Sequence, residues 1–243
     1  MNHRGRTVQL ARHKTAAFSA HVRQECRPLP GRLCARATYG RRQPDVARAD
    51  DSEMVRIGHG HNDTGSVGRW PRRQTALLRR LGCETLLDVG CGDWNWMREV
   101  SLPCDYVGID IVPEVIEANR RYERAGVEFV VGDAIEGPLP EADVALCREV
   151  LFHLSFHDGL AVLANIRATA RWLLATSDTA IWFNSDIETG DYRRINLERA
   201  PYRLPRPHAV ISDDGVCRGR VLALWATADL PTDRRGRSIR RSG

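Results

Sequence analysis

Short apolar segments alternate with helical patterns through the middle of the sequence. We predict strands over 85–89, 106–110, 127–131, 144–148 and 172–177, where four to six mostly apolar residues follow one another. Residues 72–81, 112–123 and 157–170 place their apolar side chains at helical spacing, and Gly82 is expected to end the first of these helices. Continuous apolar strands separated by helices indicate a mostly parallel sheet that is covered on both faces.

The pattern changes after residue 177. Two late strands, joined by a turn at 213–215, are predicted to form an antiparallel pair at the edge of the sheet. The fold class is therefore α/β, Rossmann-like and doubly wound. We place the folded domain at 66–229, flanked by segments 1–65 and 230–243, which are polar, basic and predicted to be disordered.

Charge is distributed unevenly along the 243 residues. The formal net charge is +5, yet residues 1–80 carry 17 Arg or Lys against 6 Asp or Glu, and 230–243 carry five against one. The segment between them is net acidic and would repel a phosphate backbone. A nucleic-acid partner is therefore not favoured, and because Lys14 is the only lysine, the excess of arginine is attributed to genome composition.

Cysteine spacing and hydropathy exclude several classes of protein. The seven cysteines are scattered without a C-x-x-C pair, and His59 and His61 have no third partner nearby, so no metal site and no disulfide framework are predicted. No apolar run approaches the ~20 residues that a membrane span needs. We expect a cytoplasmic bacterial protein, although the arginine-rich start also resembles a mitochondrial transit peptide.

The stretch LLDVGCGDWNWM, residues 86–97, carries the candidate chemistry. Gly90 and Gly92 directly follow the first predicted strand, where open α/β sheets bind ligands. A dinucleotide fingerprint would need a third glycine, but Asn95 stands there, and Asp93 would repel a pyrophosphate. Asp88, two residues before Gly90, can instead accept hydrogen bonds from a cationic ammonium group.

This D-x-G-x-G pattern resembles motif I of the class I S-adenosylmethionine-dependent methyltransferases. Later segments resemble the family's following motifs in the same order: YVGID, FVVGDA and ADVALCREVLFHL, over residues 75–177 in all. The resemblance implies that Asp88 lies near the methionine amino group, Asp110 binds the ribose hydroxyls, and Asp133 lies beside adenine. The full set of expected cofactor-binding residues is Asp88, Gly90, Cys91, Gly92, Asp110, Ile111, Asp133, Ala134 and Arg148.

The sequence departs from the family pattern at the third glycine, which is Trp94 here. Either Trp94 or Trp96 walls the cofactor pocket, or both pack in the core. The CGDWNWM loop and the segment from 184 to 207 resemble an uncharacterised bacterial subgroup of the family.

Candidate residues for the methyl acceptor lie after the fourth and fifth strands. His153 is the first candidate for a general base, because imidazole titrates near neutral pH; the alternative is a histidine bonded to backbone. His157 is expected to be structural, and Cys91 and Cys147 to be packing residues. Arg148 is expected to bind the cofactor carboxylate or a substrate anion, or else to pair with a neighbouring acid. Four residues of the later segment are hypothesised to line a hydroxyl-rich acceptor pocket: Asn184, Asp186, Arg193 and Asn196.

The sequence thus predicts methyl transfer from S-adenosylmethionine to a small molecule or glycan, with O-methylation favoured. Two alternatives remain open. One is an RNA or protein methyltransferase whose basic tails bind the acceptor, and the other is a non-catalytic domain that binds the cofactor and acts through protein contacts. The sequence predicts neither the acceptor nor the oligomeric state.

Overall fold

The computed structural model describes residues 69–213 and 218–231. Three α-helices lie in this part of the chain: α1 (Arg69–Arg80), α2 (Pro113–Asn119) and α3 (Phe156–Thr169). Seven strands accompany them: β1 (Thr85–Val89), β2 (Asp105–Asp110), β3 (Val127–Val131), β4 (Ala142–Cys147), β5 (Ala170–Asp178), β6 (Ala209–Ser212) and β7 (Arg220–Ala226).

The strands form one sheet in the order β3-β2-β1-β4-β5-β7-β6. Strands β1 to β5 pair in parallel, whereas β7 runs antiparallel to both β5 and β6. The predicted α/β sheet, mostly parallel with an antiparallel C-terminal pair, is confirmed. The fourth strand ends one residue earlier than predicted, so Arg148 already lies in the loop that follows it.

Helices cover both faces of the sheet, as the continuous apolar strands require. In β1, Leu86 packs with one core, which includes Leu78 of α1 and Ile116 of α2. Leu87, its neighbour, packs with the other core, which includes Val162 of α3. Successive side chains of a strand point to opposite faces, so a strand buried on both sides has to be apolar at both positions.

Helix α3 begins at a capped turn directly after the loop that follows β4. The Ser155 hydroxyl accepts a hydrogen bond from the backbone N–H of Asp158 (3.1 Å), which satisfies one of the donors that the first turn leaves open. This cap fixes where the loop between β4 and α3 ends. His157 lies in the first turn of α3 and is exposed.

The carboxyl ends of the parallel strands meet at one edge of the sheet. Because β7 is antiparallel, its first residue, Arg220, lies at this same edge, paired with Asp178 at the end of β5. We call residues 179–208, which connect β5 to β6, the cap segment. It contains no helix or strand and contacts the loop after β4.

Several sequence predictions fall on parts of the chain that are not described. Segment 1–65 with its His59 and His61, and residues 232–243 of the basic tail, lie outside the described residues, as do residues 214 and 215 of the late turn. Within the described residues, no helix is long and apolar enough to cross a membrane.

Candidate cofactor and acceptor site

The turn after β1 approaches its neighbours too closely for ordinary residues. The backbone N–H groups of Gly90 and Cys91 both donate to the carbonyl of Ile109, over 2.8 and 3.0 Å, which ties the turn to β2. A Cβ atom on Gly90 would lie 2.5 Å from Cγ2 of Val150 in the loop after β4. With a φ of +73°, Gly90 also adopts a conformation that glycine tolerates best.

Gly92 differs because its side-chain position is open. Its φ is +56°, and a Cβ atom there would meet nothing within 4 Å. The backbone N–H of Gly92 donates to Asp110 Oδ2 (3.0 Å). The turn after β1 is thus attached to the end of β2 while one of its surfaces stays open to a ligand.

Asp110 is oriented by two backbone groups. Its Oδ1 accepts from the N–H of Val112 (3.0 Å), while its Oδ2 accepts from Gly92. Burial raises the pKa of Asp110, and these backbone hydrogen bonds oppose the shift. Each oxygen can accept a further hydrogen bond, so the carboxylate can bind a pair of hydroxyl groups.

Asp88 is buried and bonded to a tyrosine. The Tyr106 hydroxyl donates to Asp88 Oδ2 over 2.7 Å. Burial raises the pKa of Asp88 to about 7, opposed by the Tyr106 hydrogen bond and by the positive charge of Arg148. A carboxyl group with this pKa responds strongly to the arrival of a cation, because the cation restores the charge that burial suppresses.

The strand-end residues of β3 are tied to β2 in a similar way. The N–H of Gly132 donates to the carbonyl of Asp110 (3.0 Å), so the loop that holds Asp133 starts beside Asp110. Asp133 Oδ1 accepts from the N–H of Ile135 (2.8 Å), and the carbonyl of Ala134 accepts from Asn165 of α3 (2.9 Å). Ile111, which follows Asp110, is partly exposed.

The two tryptophans of the turn lie in different environments. Trp94 is 1% exposed and packs against Tyr106, Tyr122 and Phe129, with ring centroids 5.2–5.7 Å apart. It is therefore a core residue and does not wall the pocket. Trp96 is half-buried, and the guanidinium of Arg148 lies 5.0 Å from its ring centroid.

Arg148 pairs with a neighbouring acid, which is one of the roles that the sequence predicted for it. Its Nη2 lies 3.5 Å from Asp213 Oδ2, just beyond the end of β6. Burial raises the pKa of Asp213 to about 6, and Arg148 opposes that shift. The positive charge of Arg148 thus opposes the pKa shifts of both Asp88 and Asp213.

A buried ion pair lies beside it. Glu149 adopts a left-handed backbone conformation (φ 66°), and both of its carboxylate oxygens accept from Nη1 of Arg220, over 3.2 and 3.0 Å. Nη2 of Arg220 donates to the Tyr192 hydroxyl (2.9 Å), and Thr176 Oγ1 accepts from the N–H of Glu149 (3.0 Å). Strained non-glycine residues cluster at functional sites, so Glu149 is a further candidate residue.

His153 is bonded to backbone, as its alternative reading proposed. Its Nδ1 lies 2.9 Å from the carbonyl oxygen of Asp191, so Nδ1 carries the proton. Its ring lies 5.2 Å from that of Tyr192, and its Nε2 is buried. The proposal that His153 acts as a base would require Nε2 to become accessible to the acceptor.

The polar residues of the cap segment hold the segment itself in place. Asn184 donates to the carbonyls of Asn196 and Ala200, and Arg193 donates to the carbonyls of Ser185 and Leu151. Asp186 Oδ1 accepts from the N–H of Phe156 (2.7 Å). These residues therefore fix the cap segment to the loop after β4, and the hypothesis that they line an acceptor pocket gains no support from their contacts.

Two cysteines, Cys91 in the turn after β1 and Cys147 at the end of β4, lie near the candidate site. Cys91 and Cys147 are buried, and burial raises the pKa of both thiols, to about 12 for Cys147. Both are packing residues, as expected. Within 69–213 and 218–231, no three His, Cys, Asp or Glu side chains converge as a metal site would require.

A family comparison agrees with this geometry. Residues 87–171 match the family described as "Methyltransferase domain". This match covers 85 of the 243 residues. The matched residues run from β1 into β5, so they include the glycine turn, Asp110, Asp133 and the loop after β4.

Individual proteins resemble parts of this chain more distantly. A fatty-acid O-methyltransferase of Mycolicibacterium smegmatis is 27% identical over 112 residues, which cover 39% of this chain and 40% of that protein. The structure of human N-acetylserotonin methyltransferase in complex with S-adenosylmethionine gives a TM-score of 0.48 at 16% identity, covering 65% of this chain and 52% of that one. Magnesium protoporphyrin IX methyltransferase of Synechocystis PCC 6803, with bound S-adenosylhomocysteine, gives 0.39 at 16% identity, covering 51% and 64%.

Three residues of the candidate site escaped the sequence analysis: Tyr106, Tyr192 and Arg220. Tyr106 could have been found from the register, because it lies two residues before Gly108, the partner of Asp88, and therefore on the same face. No comparable signal marks Arg220, which lies 71 residues from Glu149 in the sequence.

Proposed function

We propose that this protein transfers the methyl group of S-adenosylmethionine to an oxygen atom of a small-molecule or glycan acceptor. The observation that carries the proposal is the attachment of the open Gly92 turn to the Asp110 carboxylate, at the edge where Asp88 and Asp133 also lie. S-adenosylmethionine supplies a methyl group that is bound to a sulfonium sulfur, and the leaving group is the neutral thioether that remains after transfer. The residues present fit such a ligand, because it is cationic and carries a ribose diol.

Each strand end has a separate task in this proposal. Asp110 binds the ribose hydroxyls through the two oxygens that the Gly92 and Val112 amides hold in place. Asp88 accepts from the ammonium group, and Asp133 with Ala134 and Ile111 surrounds the adenine. The turn formed by Gly90, Cys91 and Gly92 would lie beneath the cofactor. Arg148 would exchange its ion pair with Asp213 for one with the carboxylate of the methionine part of the cofactor.

The loop after β4 faces the acceptor. Methyl transfer needs in-line alignment of the acceptor atom at about 3 Å, and alignment is the main contribution that the protein makes. A hydroxyl acceptor must also lose a proton, and His153 is the proposed base. What supports oxygen as the acceptor atom is the relative from M. smegmatis, whose name states O-methylation of a fatty acid.

Isothermal calorimetry with S-adenosylhomocysteine tests the cofactor site. Replacing Asp110 with Ala or Asn should weaken binding about 10- to 100-fold, because each variant loses charge-assisted hydrogen bonds to the ribose. Asn is close in size to Asp and keeps one acceptor oxygen, so it separates loss of binding from collapse of the turn.

Asp105 provides the matched control. It is an exposed aspartate at the opposite end of the same strand, so Asp105→Asn should leave the affinity unchanged. If Asp110→Ala bound S-adenosylhomocysteine as tightly as the wild type, the assignment of this edge as the cofactor site would be wrong.

A further inference from the structure

Two adjacent aromatic side chains of the cap segment face solvent. Trp182 is 81% exposed and Phe183 is 78% exposed, whereas the other exposed large apolar residues of the described chain lie between 36% and 47%. Large aromatic residues are normally buried or half-buried, so a neighbouring exposed pair requires an explanation.

The backbone on both sides of this pair is held in place. The Ile181 carbonyl accepts from Nδ2 of Asn196 (3.0 Å), and Asn184 is bonded to Asn196 and Ala200. The two rings are thus presented to solvent by a braced segment. Because the backbone of this segment is already ordered, the two exposed rings can bind a surface without a further loss of backbone entropy.

Arginines accompany the pair. The guanidinium of Arg199 lies 5.8 Å from the ring centroid of Trp182, and the N–H of Arg203 donates to the carbonyl of Arg199 (2.9 Å). Arg199, Arg203 and Arg206 are all exposed. We call Trp182, Phe183 and Arg199 the aromatic patch.

We propose that the aromatic patch docks the protein on the surface of an anionic lipid bilayer. Tryptophan and phenylalanine partition into the boundary between headgroups and acyl chains. Although the segment between residues 80 and 230 is net acidic as a whole, the exposed Arg199, Arg203 and Arg206 provide a local attraction to anionic headgroups beside the aromatic patch. The apolar area fits this occupant. Two aromatic side chains bury about 150–250 Å² each, which is well below the roughly 800 Å² per partner of a stable protein interface.

The placement of the patch gives this docking a consequence. The cap segment also contacts the loop after β4, where Gly190 donates to the carbonyl of His153 (2.7 Å). Docking would therefore hold the carboxyl edge of the sheet close to the lipid surface. This inference goes beyond the proposed function and does not depend on it.

Vesicle sedimentation of the full chain tests the inference. The probe is vesicles of phosphatidylglycerol and phosphatidylcholine at physiological salt, and because every variant keeps the same basic termini, differences in binding between variants report on the aromatic patch. The wild type should sediment with the vesicles, and Trp182→Ala/Phe183→Ala should bind at least about tenfold more weakly. The control Leu160→Ala/Val210→Ala removes partly exposed apolar side chains elsewhere and should bind like the wild type.

Fluorescence identifies the residue that enters the bilayer. Brominated phosphatidylcholine in the vesicles should quench tryptophan emission of the wild type. Trp182→Phe should retain binding but lose this quenching. Equal binding by the Trp182→Ala/Phe183→Ala variant, quenching that persists in Trp182→Phe, or no binding by the wild type would each overturn the inference.

Light scattering without vesicles tests whether the aromatic patch instead binds a second copy of the chain. If the wild type formed a dimer that Trp182→Ala/Phe183→Ala could not form, the patch would be a subunit contact and the inference would be wrong. Calorimetry with S-adenosylhomocysteine should be unaffected by these variants. Failure of docking is thus distinguishable from failure of the cofactor assignment.

Discussion

Trp94 combines a left-handed backbone with a fully buried side chain. Its φ is +54°, a conformation that costs a residue with a Cβ atom roughly 1–2 kcal/mol. The contacts of its ring with Tyr106, Tyr122 and Phe129 offset that strain. The position that the family gives to a glycine thus contributes to the core here.

We expect Trp94→Ala to lower the free energy of unfolding by about 3–5 kcal/mol, because it leaves a cavity among three aromatic rings. Trp94→Gly should lose about 1 kcal/mol less, since glycine relieves the left-handed backbone. Urea denaturation measures both variants. The control, Trp182→Ala, removes an exposed ring and should change stability by no more than about 0.5 kcal/mol.

Asp88 should make stability depend on pH. Burial raises its pKa in the folded protein from 3.8 to about 7, so folding favours the protonated form. Its contribution to stability is therefore complete below pH 4, falls as the pH rises towards 7, and is constant above that. The slope is at most about 1.4 kcal/mol per pH unit.

The variant Asp88→Asn isolates this contribution, because asparagine keeps an oxygen that can accept from Tyr106. The free energy of unfolding of Asp88→Asn minus that of the wild type should be larger at pH 8 than at pH 5, as measured by urea denaturation at both pH values. The variant should also bind S-adenosylmethionine more weakly at pH 8, since it lacks the charge for the ammonium group. A stability difference that is independent of pH would contradict the assigned pKa.

Among the elements, the reversed strand β7 has the clearest role at the site. Its first residue, Arg220, is 2% exposed and pairs with Glu149 in the loop after β4. A buried charge that loses its partner is destabilising by about 3–5 kcal/mol. Arg220→Met should therefore lower the free energy of unfolding by that amount.

The double variant Glu149→Gln/Arg220→Met tests whether pairing is the cause. Removing the second charge should restore part of the stability that Arg220→Met loses, so the two substitutions should be non-additive in a denaturation cycle. Additive losses would mean that Arg220 acts through its packing on Phe152 instead.

Strand boundaries followed from the sequence most closely where glycines adjoin the strands. The predicted strands 85–89 and 127–131 match β1 and β3 to the residue: Gly90 follows β1, and Gly126 and Gly132 flank β3. Helix α3 begins one residue before the predicted start, at a Ser155 cap that the apolar periodicity does not mark. The ends of elements depend on caps and side-chain bonds, whereas their centres depend on burial.

The two sides of the candidate site differed in how far the sequence predicted them. Asp88, Asp110 and Asp133 each lie within two residues of the carboxyl end of a strand, so parallel pairing alone brings them to one edge. The acceptor side depends on contacts between distant residues, such as Arg220 with Tyr192 and Asn184 with Asn196. Hydrophobic periodicity carries no information about those contacts.

At the scale of the whole molecule, basic residues are concentrated outside the predicted domain. If 66–229 is the functional unit, a chain that lacks residues 1–65 should bind S-adenosylhomocysteine with unchanged affinity in calorimetry. The alternative in which the tails bind RNA predicts that the full chain binds RNA with a steep salt dependence and that the deletion abolishes this binding. Loss of S-adenosylhomocysteine binding on deletion would place part of the cofactor site before residue 66.

The contact between Gly90 and Val150 connects the turn after β1, on the proposed cofactor side, to the loop after β4, on the proposed acceptor side. Because Cγ2 of Val150 occupies the space where Gly90 would carry a Cβ, neither loop can move inward without displacing the other. A bulkier residue at 150, introduced to reshape the proposed acceptor side, would push on the turn after β1. Engineering of this edge of the sheet would therefore have to change the residues at 90 and 150 together.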